Sequence, residues 1–444
     1  MAHAQTMKNR LRGAATSLLL ILIVAAGLRV GFAWNNALHN SRQALSVVPF
    51  MFESGDIAVS LAQGHGFSSP FRVPTGPTAW MTPVYPLLLA GVFRIFGIYT
   101  YNSYMAATGL NILFATLTCI PIFFAGKKIV GTVLGATAAW LWAIFPNAIL
   151  IPFESMWEAC LSALLAAIIL WATLALADSR RIRDWFAYGL LWGFMLMTNP
   201  TLESLLPFLL VWLAYCAYKE RRSWLVIARP SLALAVAALC CVPWTARNYD
   251  VFHAFVPLRS VLGLQLWMGN NQNAGPSWLG QLHPINDEAE RAKYIQMGEI
   301  HYMRYKRDDA LAYMRTHPRR ETDLIWERFV ALWAGGTPNP VQDFFRVRDA
   351  WFRYVLLFNI CVAIGALSGI ILLAWRRSIY TFPLAVFPVV FPFAYYLTLA
   401  APRYRLPIDP IVILLTAIVL IACFHRLYIA RSEDTTKKTL PRIA

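Results

Sequence analysis

The length of the apolar runs constrains this chain more than any other feature. Blocks of roughly 17–25 mostly apolar residues recur from end to end, the length at which a helix crosses a bilayer. Backbone groups in lipid must be satisfied inside a helix or a closed barrel. The runs are continuous rather than alternating, which excludes the barrel. Composition agrees: 58% of residues are hydrophobic and 14% are charged, against about 25% charged in soluble domains. The expected fold is all-α, a polytopic helical membrane protein of about ten transmembrane helices with extracytoplasmic loops and interfacial helices.

The spans read as 14–34, 103–125, 132–150, 156–177, 185–199, 203–218, 224–243, 354–374, 379–400 and 407–424. A polar loop, 35–82, follows the first. The short apolar piece PVYPLLLAGVFRIFG (83–97) is placed at the interface or as a re-entrant segment. A long polar stretch interrupts the series and contains LWMGNNQNAGPSW (266–278), rich in turn residues. After it, 287–333 reads as two or three amphipathic helices broken at Pro318. The chain therefore divides into an N-terminal transmembrane module, 1–243, an extracytoplasmic helical segment, 244–350, and C-terminal transmembrane helices with a cytoplasmic tail, 351–444.

Charge orients these spans. Lys8, Arg10 and Arg12 precede the first run, which continues to Trp34 without a small-residue cleavage site, so it reads as an uncleaved span. Lys127 and Lys128, Arg180–Arg183, Lys219–Arg222, Arg376 and Arg377, and Arg426, Arg431, Lys437 and Lys438 all fall on the side of the N-terminus. By the positive-inside rule that side is the cytoplasm, which puts 35–82 and 244–350 outside. The formal net charge of +16 is thereby explained at span ends, and no nucleic-acid reader motif accompanies it. The seven cysteines all lie within apolar runs, so no disulfide framework or zinc knuckle is indicated.

The outer ends of the spans collect the candidate chemistry. The first loop holds FESGDIAVSLAQGHGFSSPF (52–71), with Glu53, Asp56 and His65. Asp56 or Ser54 reads equally as a helix cap, with Gly64 or Gly66 ending the helix. Glu154 and Glu158 occupy the connection before the span at 156–177. At a helix start an acidic residue is favoured by the dipole; its other reading is a second acid opposing Asp56. Arg247 follows Pro243-Trp244, and Arg403 and Arg405 flank Tyr404 in APRYRLPIDP. Interfacial arginines are common anchors, but their forks also match phosphate. Arg29, in the outer part of the first span, reads as snorkelling outward. His65 stands alone between glycines. No HExxH, CxxC or acidic pair has metal spacing, so no cofactor is indicated, though carboxylates from separate loops could meet around a divalent metal.

No Walker A or GxGxxG motif is present. A group-transfer reaction at the outer face would therefore need an activated donor other than a nucleotide, such as one carried on a lipid.

In order along the chain stand GD (55–56), GHGF (64–67), PTAWMTPVYPLLLAGVFRIFG (77–97), LMTNP (196–200), PWTARNY (243–249), LWMGNN with Asn270 (266–271), RFVALW (328–333) and RYRLPIDP (403–410). This series resembles the bacterial members of the dolichyl-phosphate-mannose–protein mannosyltransferase-like family, membrane glycosyltransferases of the C superfold related to the lipid A aminoarabinose transferase. The resemblance implies transfer of a sugar from a polyprenyl-phosphate donor, with inversion, to a lipid, glycan or protein acceptor at the outer face of a bacterial inner membrane. It implies Asp56 as general base, Glu158 as a second outer acid, Arg247, Arg403 or Arg405 at the donor phosphate, and an apolar trough beside Tyr85 and Pro86 for the prenyl tail. The protein mannosyltransferases carry adjacent Asp-Glu where this chain has Gly-Asp-Ile, which weakens the case for a protein acceptor. The competing readings are a secondary transporter or lipid flippase, and an envelope assembly protein without activity. Partners expected on any reading are the bilayer and no nucleic acid.

Overall fold

The computed structural model describes residue 13 and residues 16–219, 225–276 and 280–438, with side chains at 225–226 and 425–438 excepted. Lys8, Arg10, Arg12, Arg221, Arg222, Ser277 and Trp278, and the side chains of Arg426, Arg431, Lys437 and Lys438, lie outside that description.

Helix α1 (Leu18–His39) is capped by Ser17, whose hydroxyl accepts from the Leu20 amide. The first loop then folds into α2 (Arg42–Val47), a 3₁₀ turn and α3 (Glu53–Ala62), the two arms meeting at 98°. Helix α4 (Val84–Phe96) ends at Gly97, and Thr100 opens α5 (Tyr101–Leu117) through a reciprocal cap with Ser103. With α6 (Cys119–Ile129) it makes one 29-residue span. Helices α7 (Thr132–Ala143) and α8 (Pro146–Glu154) are bent by 44°. Then come α9 (Ala159–Leu176), α10 (Ile182–Thr198), α11 (Leu206–Lys219) and α12 (Leu225–Phe252). Helix α12 runs unbroken across 243, so PWTARNY is its last turns and not the start of a separate segment.

The interrupting stretch contains α13 (Leu262–Gly269), α14 (Glu288–Met297), α15 (Glu299–Thr316), α16 (Pro318–Trp333) and α17 (Pro340–Arg346). The chain finishes with α18 (Ala350–Trp375), α19 (Thr381–Val390), α20 (Phe393–Leu397), α21 (Pro402–Arg405) and α22 (Asp409–Lys438). Among the described residues there is no strand; one isolated bridge pairs Ser68 with Pro77. Among the described residues six helices are long and apolar enough to cross a membrane, or up to eight if each bent pair is one span, against the ten read from hydropathy. The shortfall comes from apolar helices that stop early, such as α10 and α19, because proline and loop chemistry end them before a full crossing.

Two cores result. The larger is the helix bundle, centred on α6, α7, α9 and α22, with Trp142 fully buried and its indole donating to the Ala115 carbonyl at 2.7 Å. Gly189 and Gly193 of α10, in GLLWG, face α12. A Cβ at Gly189 would stand 2.6 Å from the Ala233 carbonyl oxygen, so only glycine permits this approach. The smaller core lies between the first loop and α13–α15, built on Phe71, Trp80, Leu264, Met268, Tyr294 and Tyr302.

Arg29 does not snorkel. It is fully buried, donating to the carbonyls of Trp142 (3.2 Å), Ala143 (3.4 Å) and Ala148 (2.9 Å), and to Ala25 of its own helix (2.9 Å). The break between α7 and α8 leaves carbonyls without helical partners, and a five-donor fork inside the bundle supplies them.

Candidate active site

The site is organised by the first turn of α3. Phe52 is its N-cap, and Glu53 is its first residue. The turn into it is tight: a Cβ on Gly55 would lie 2.1 Å from the Phe50 carbonyl oxygen. Neither Ser54 nor Asp56 caps the helix, as the sequence suggested. The Ser54 hydroxyl instead donates to the Met156 carbonyl (2.8 Å), and the Met156 amide donates to Pro49 (3.0 Å). These two bonds hold the α8–α9 connection, with Trp157 and Glu158, against the start of α3.

Glu53 is buried, at the positive end of α3. Its Oε1 stands 3.0 Å from Nε2 of His283, which is equally buried. The His283 Nδ1 accepts from the Ile285 amide at 3.2 Å, which leaves Nε2 as the donor toward Glu53. Burial pushes the Glu53 carboxyl up. The opposing pull of His283, a backbone donor and Arg403 outweighs it and holds the group below the usual carboxylate range. Glu158 behaves oppositely. Burial is its largest influence and raises it, although Arg259 and Arg403 act against that, and its buried Oε2 has no hydrogen-bond partner. Two carboxyls in one site are thus pushed apart in acidity, the arrangement expected where acid and base roles are divided.

Arg403 completes the site. Its guanidinium lies over Trp157 (4.8 Å), Tyr404 (5.1 Å) and Phe52 (5.6 Å), and its buried Nε has no partner. Arg403, Glu53, His283, Trp157, Trp80 and Arg259 line one pocket. Arg259, anchored to Thr201 Oγ1 at 2.7 Å, also lines an adjoining groove of about 700 Å³ with Gln265 and the apolar side chains of Leu262, Phe391, Phe393 and Tyr395.

Several sequence candidates stand elsewhere. Asp56 does not face Glu158: it lines a different pocket with His65, which is exposed on that rim. Arg405 is buried and tied at every nitrogen, by Nε to Asp409 (2.6 Å), by Nη1 to the carbonyls of Leu332 and Trp333, and by Nη2 to Asn359. Arg247 pins the first loop by donating to Thr78 O (2.7 Å) and Phe67 O (2.8 Å). Asn270 bridges α13 to the Leu397 carbonyl and accepts from Arg328. Tyr85 is buried, with its hydroxyl on Asn111 Oδ1 (3.1 Å), and does not line the groove beyond Arg259. Glu154 ends α8, exposed. Among the described residues no three His, Cys, Asp or Glu side chains gather closely enough to hold a metal ion, so the carboxylates fit no cation cradle.

Sequence reading missed His283 and Arg259. Both lie in the long polar stretch beside prolines (HPI and PLRS), a signal of ordered loop rather than of chemistry. What singles them out is the partner each meets.

Residues 79–246 match the family model described as dolichyl-phosphate-mannose-protein mannosyltransferase. No curated protein matches the chain. Among solved structures, the fold is similar to the apo oligosaccharyltransferase of Archaeoglobus fulgidus (TM-score 0.56, 13% identity, covering 96% of this chain and 53% of that one). It is also similar to archaeal oligosaccharyltransferase AglB from the same organism in complex with an inhibitory peptide and a dolichol-phosphate (0.55, 13%, 96% and 52%). ArnT from Cupriavidus metallidurans bound to undecaprenyl phosphate aligns at a TM-score of 0.39, with 13% identity over 88% of this chain and 77% of that one. This chain spans about half the length of the archaeal enzymes. The family resemblance drawn from the motifs is borne out, as is the all-helical, multi-pass membrane architecture.

Proposed function

We propose that this chain, a multi-pass membrane protein whose residues 79–246 carry the protein mannosyltransferase family pattern, is a glycosyltransferase that moves a sugar from a polyprenyl-phosphate donor to an acceptor hydroxyl. The observation that carries the reading is one juxtaposition. A buried carboxylate braced by His283 shares its pocket with an arginine boxed by aromatic rings, and that pocket opens through Arg259 onto an apolar groove. The relatives' names point the same way, since one of the similar structures holds a dolichol-phosphate.

In this mechanism the prenyl tail lies in the groove and the phosphate meets Arg259 and Arg403. The acceptor oxygen attacks the anomeric carbon as its proton passes to Glu53. The bond from that carbon to the phosphate oxygen breaks, and polyprenyl phosphate leaves with the electron pair. A single displacement of this kind inverts the anomeric centre. Positioned base help is worth roughly 10²–10⁴-fold, and arginines aimed at the growing phosphate charge add electrostatic stabilisation. The base role passes from Asp56 to Glu53 because Glu53, and not Asp56, shares the arginine pocket. Glu158, on which both arginines act through space, offers its open oxygen to a hydroxyl of the donor sugar. Charge at the span ends supports a reaction on the extracytoplasmic face of the bacterial cytoplasmic membrane, with 1–243, 244–350 and 351–444 as approximate transmembrane, outer and C-terminal parts whose first boundary falls inside α12.

The test is purified protein in lipid nanodiscs with undecaprenyl-phosphate sugars and a panel of lipid, glycan and peptide acceptors. Sugar appearing on an acceptor, lost in Glu53→Gln with donor binding intact, is the expected result. Donor translocation without transfer would select a flippase instead.

A further inference from the structure

A second pocket, of about 570 Å³, lies on the flank of α3, a size common to small-molecule sites. Asp56 stands in its wall, 5% exposed. Tyr99 donates its hydroxyl to Asp56 Oδ1 at 2.9 Å, while Oδ2 is buried with no hydrogen-bond partner. The Arg72 guanidinium acts on this carboxylate through space and donates to the Met51 carbonyl at 3.2 Å, and the Arg72 backbone also favours the charged form of Asp56. Without a full set of partners, burial drives the Asp56 carboxyl up to about 7.

The loop that forms the opposite wall is built, not loose. Ser69 and Arg72 hold left-handed backbone (φ 58° and 59°), which a non-glycine residue adopts at a cost. The Ser69 amide donates to Gly76 O at 2.9 Å, the Thr75 amide to Ser69 Oγ at 3.3 Å, and Arg247 clamps Phe67 from outside. That strain is sustained around a cavity whose one buried carboxylate oxygen is unused.

We propose that this pocket binds a neutral polyhydroxylated ligand, the saccharide part of an acceptor, with a sugar hydroxyl donating to Asp56. Carboxylate and guanidinium together leave the walls near neutrality, which favours a neutral polar ligand over an ion. Gln63 and the serine hydroxyls both donate and accept, as vicinal hydroxyls require, and Val73 and Pro74 offer apolar area to the C–H face of a ring. Asp56 follows Glu53 by three residues on one helix, about 4.5 Å along its axis, so the two pockets flank the same helix. Only the word acceptor rests on the transfer reading; saccharide binding does not.

The test omits the donor. Methyl glycosides of glucose, galactose, mannose and N-acetylglucosamine are titrated onto the purified full chain and followed by saturation-transfer NMR. At least one binds the wild type and Glu53→Gln with equal affinity. Asp56→Asn weakens that binding by about tenfold or more, the loss expected for a hydrogen bond to a charged group. Gln63→Trp, at an exposed position on the rim, blocks it without touching the carboxylate. The proposal is overturned if no glycoside binds the wild type, or if both variants bind as the wild type does. Binding without any transfer in the enzyme assay would sustain this site and remove the transferase reading alone.

Discussion

Arg403 and Arg405 are two residues apart on one short helix and have opposite fates. Arg405 has every nitrogen engaged by Asp409, Asn359 and two carbonyls from the end of α16. Arg403 has aromatic rings around it, one weak bond to the Tyr404 hydroxyl (3.3 Å) and a buried Nε left open. The first holds α21 in place so that the second can face the pocket. Glu53 and Asp56 repeat the contrast on α3, since one carboxylate is braced by His283 and faces the arginines while the other opens on a separate pocket. Residue type and spacing do not separate such neighbours; the groups opposite them do.

The sharpest way to break this division is at the two carboxylates. Glu53→Gln keeps the shape and the His283 contact but removes the proton acceptor. Its kcat should fall about 10²–10⁴-fold, with donor affinity retained. Asp56→Asn should leave kcat near wild type and raise the acceptor KM. Reversed results would restore Asp56 as the base.

The arginines come next. Arg405→Ala strands the buried Asp409 carboxylate, and breaking a buried pair typically costs about 3–5 kcal/mol. A lower denaturation midpoint and poor recovery of folded protein are expected. Arg403→Ala should leave the melting temperature nearly unchanged and weaken binding of undecaprenyl phosphate by the worth of a charge-assisted contact, about 1.5–3 kcal/mol. If Arg403→Ala unfolds the protein while Arg405→Ala only loses the lipid, the assignment of the pair is inverted.

The fold class was legible because lipid admits few architectures, so continuous apolar runs settle it. Span count was less legible: the break at 143–146 is sustained by Arg29, whose role depends on carbonyls more than a hundred residues away. The first polar loop, Arg403 and Glu158 were visible as candidates because polar residues at the span ends are few. Which acid faces the arginines was not, because the turn at Gly55 and the clamp from Ser54 to Met156 set the rotation of α3. His283 carried no local signal at all; its meaning comes from Glu53, more than two hundred residues earlier.

A last expected effect is on stability against pH, and it separates the carboxylates again. Asp56 is raised by burial from the ordinary 3.8 to about 7, so between those values the folded chain keeps a proton that the unfolded chain has released. Stability from this group therefore falls as pH rises from about 4 to about 7 and is level above. Glu53 is lowered in the folded state, so its contribution is present above the ordinary carboxylate range and fades only as pH drops below it. Asp56→Asn should then gain stability over the wild type progressively from pH 4 to 7, read as a widening difference in melting temperature. Glu53→Gln should show no trend in that window except near its acid edge. A melting difference for Asp56→Asn that stays flat from pH 4 to 8 would mean that the Asp56 carboxylate already has its partners, and the pocket beside it would lose the open oxygen on which a ligand could act.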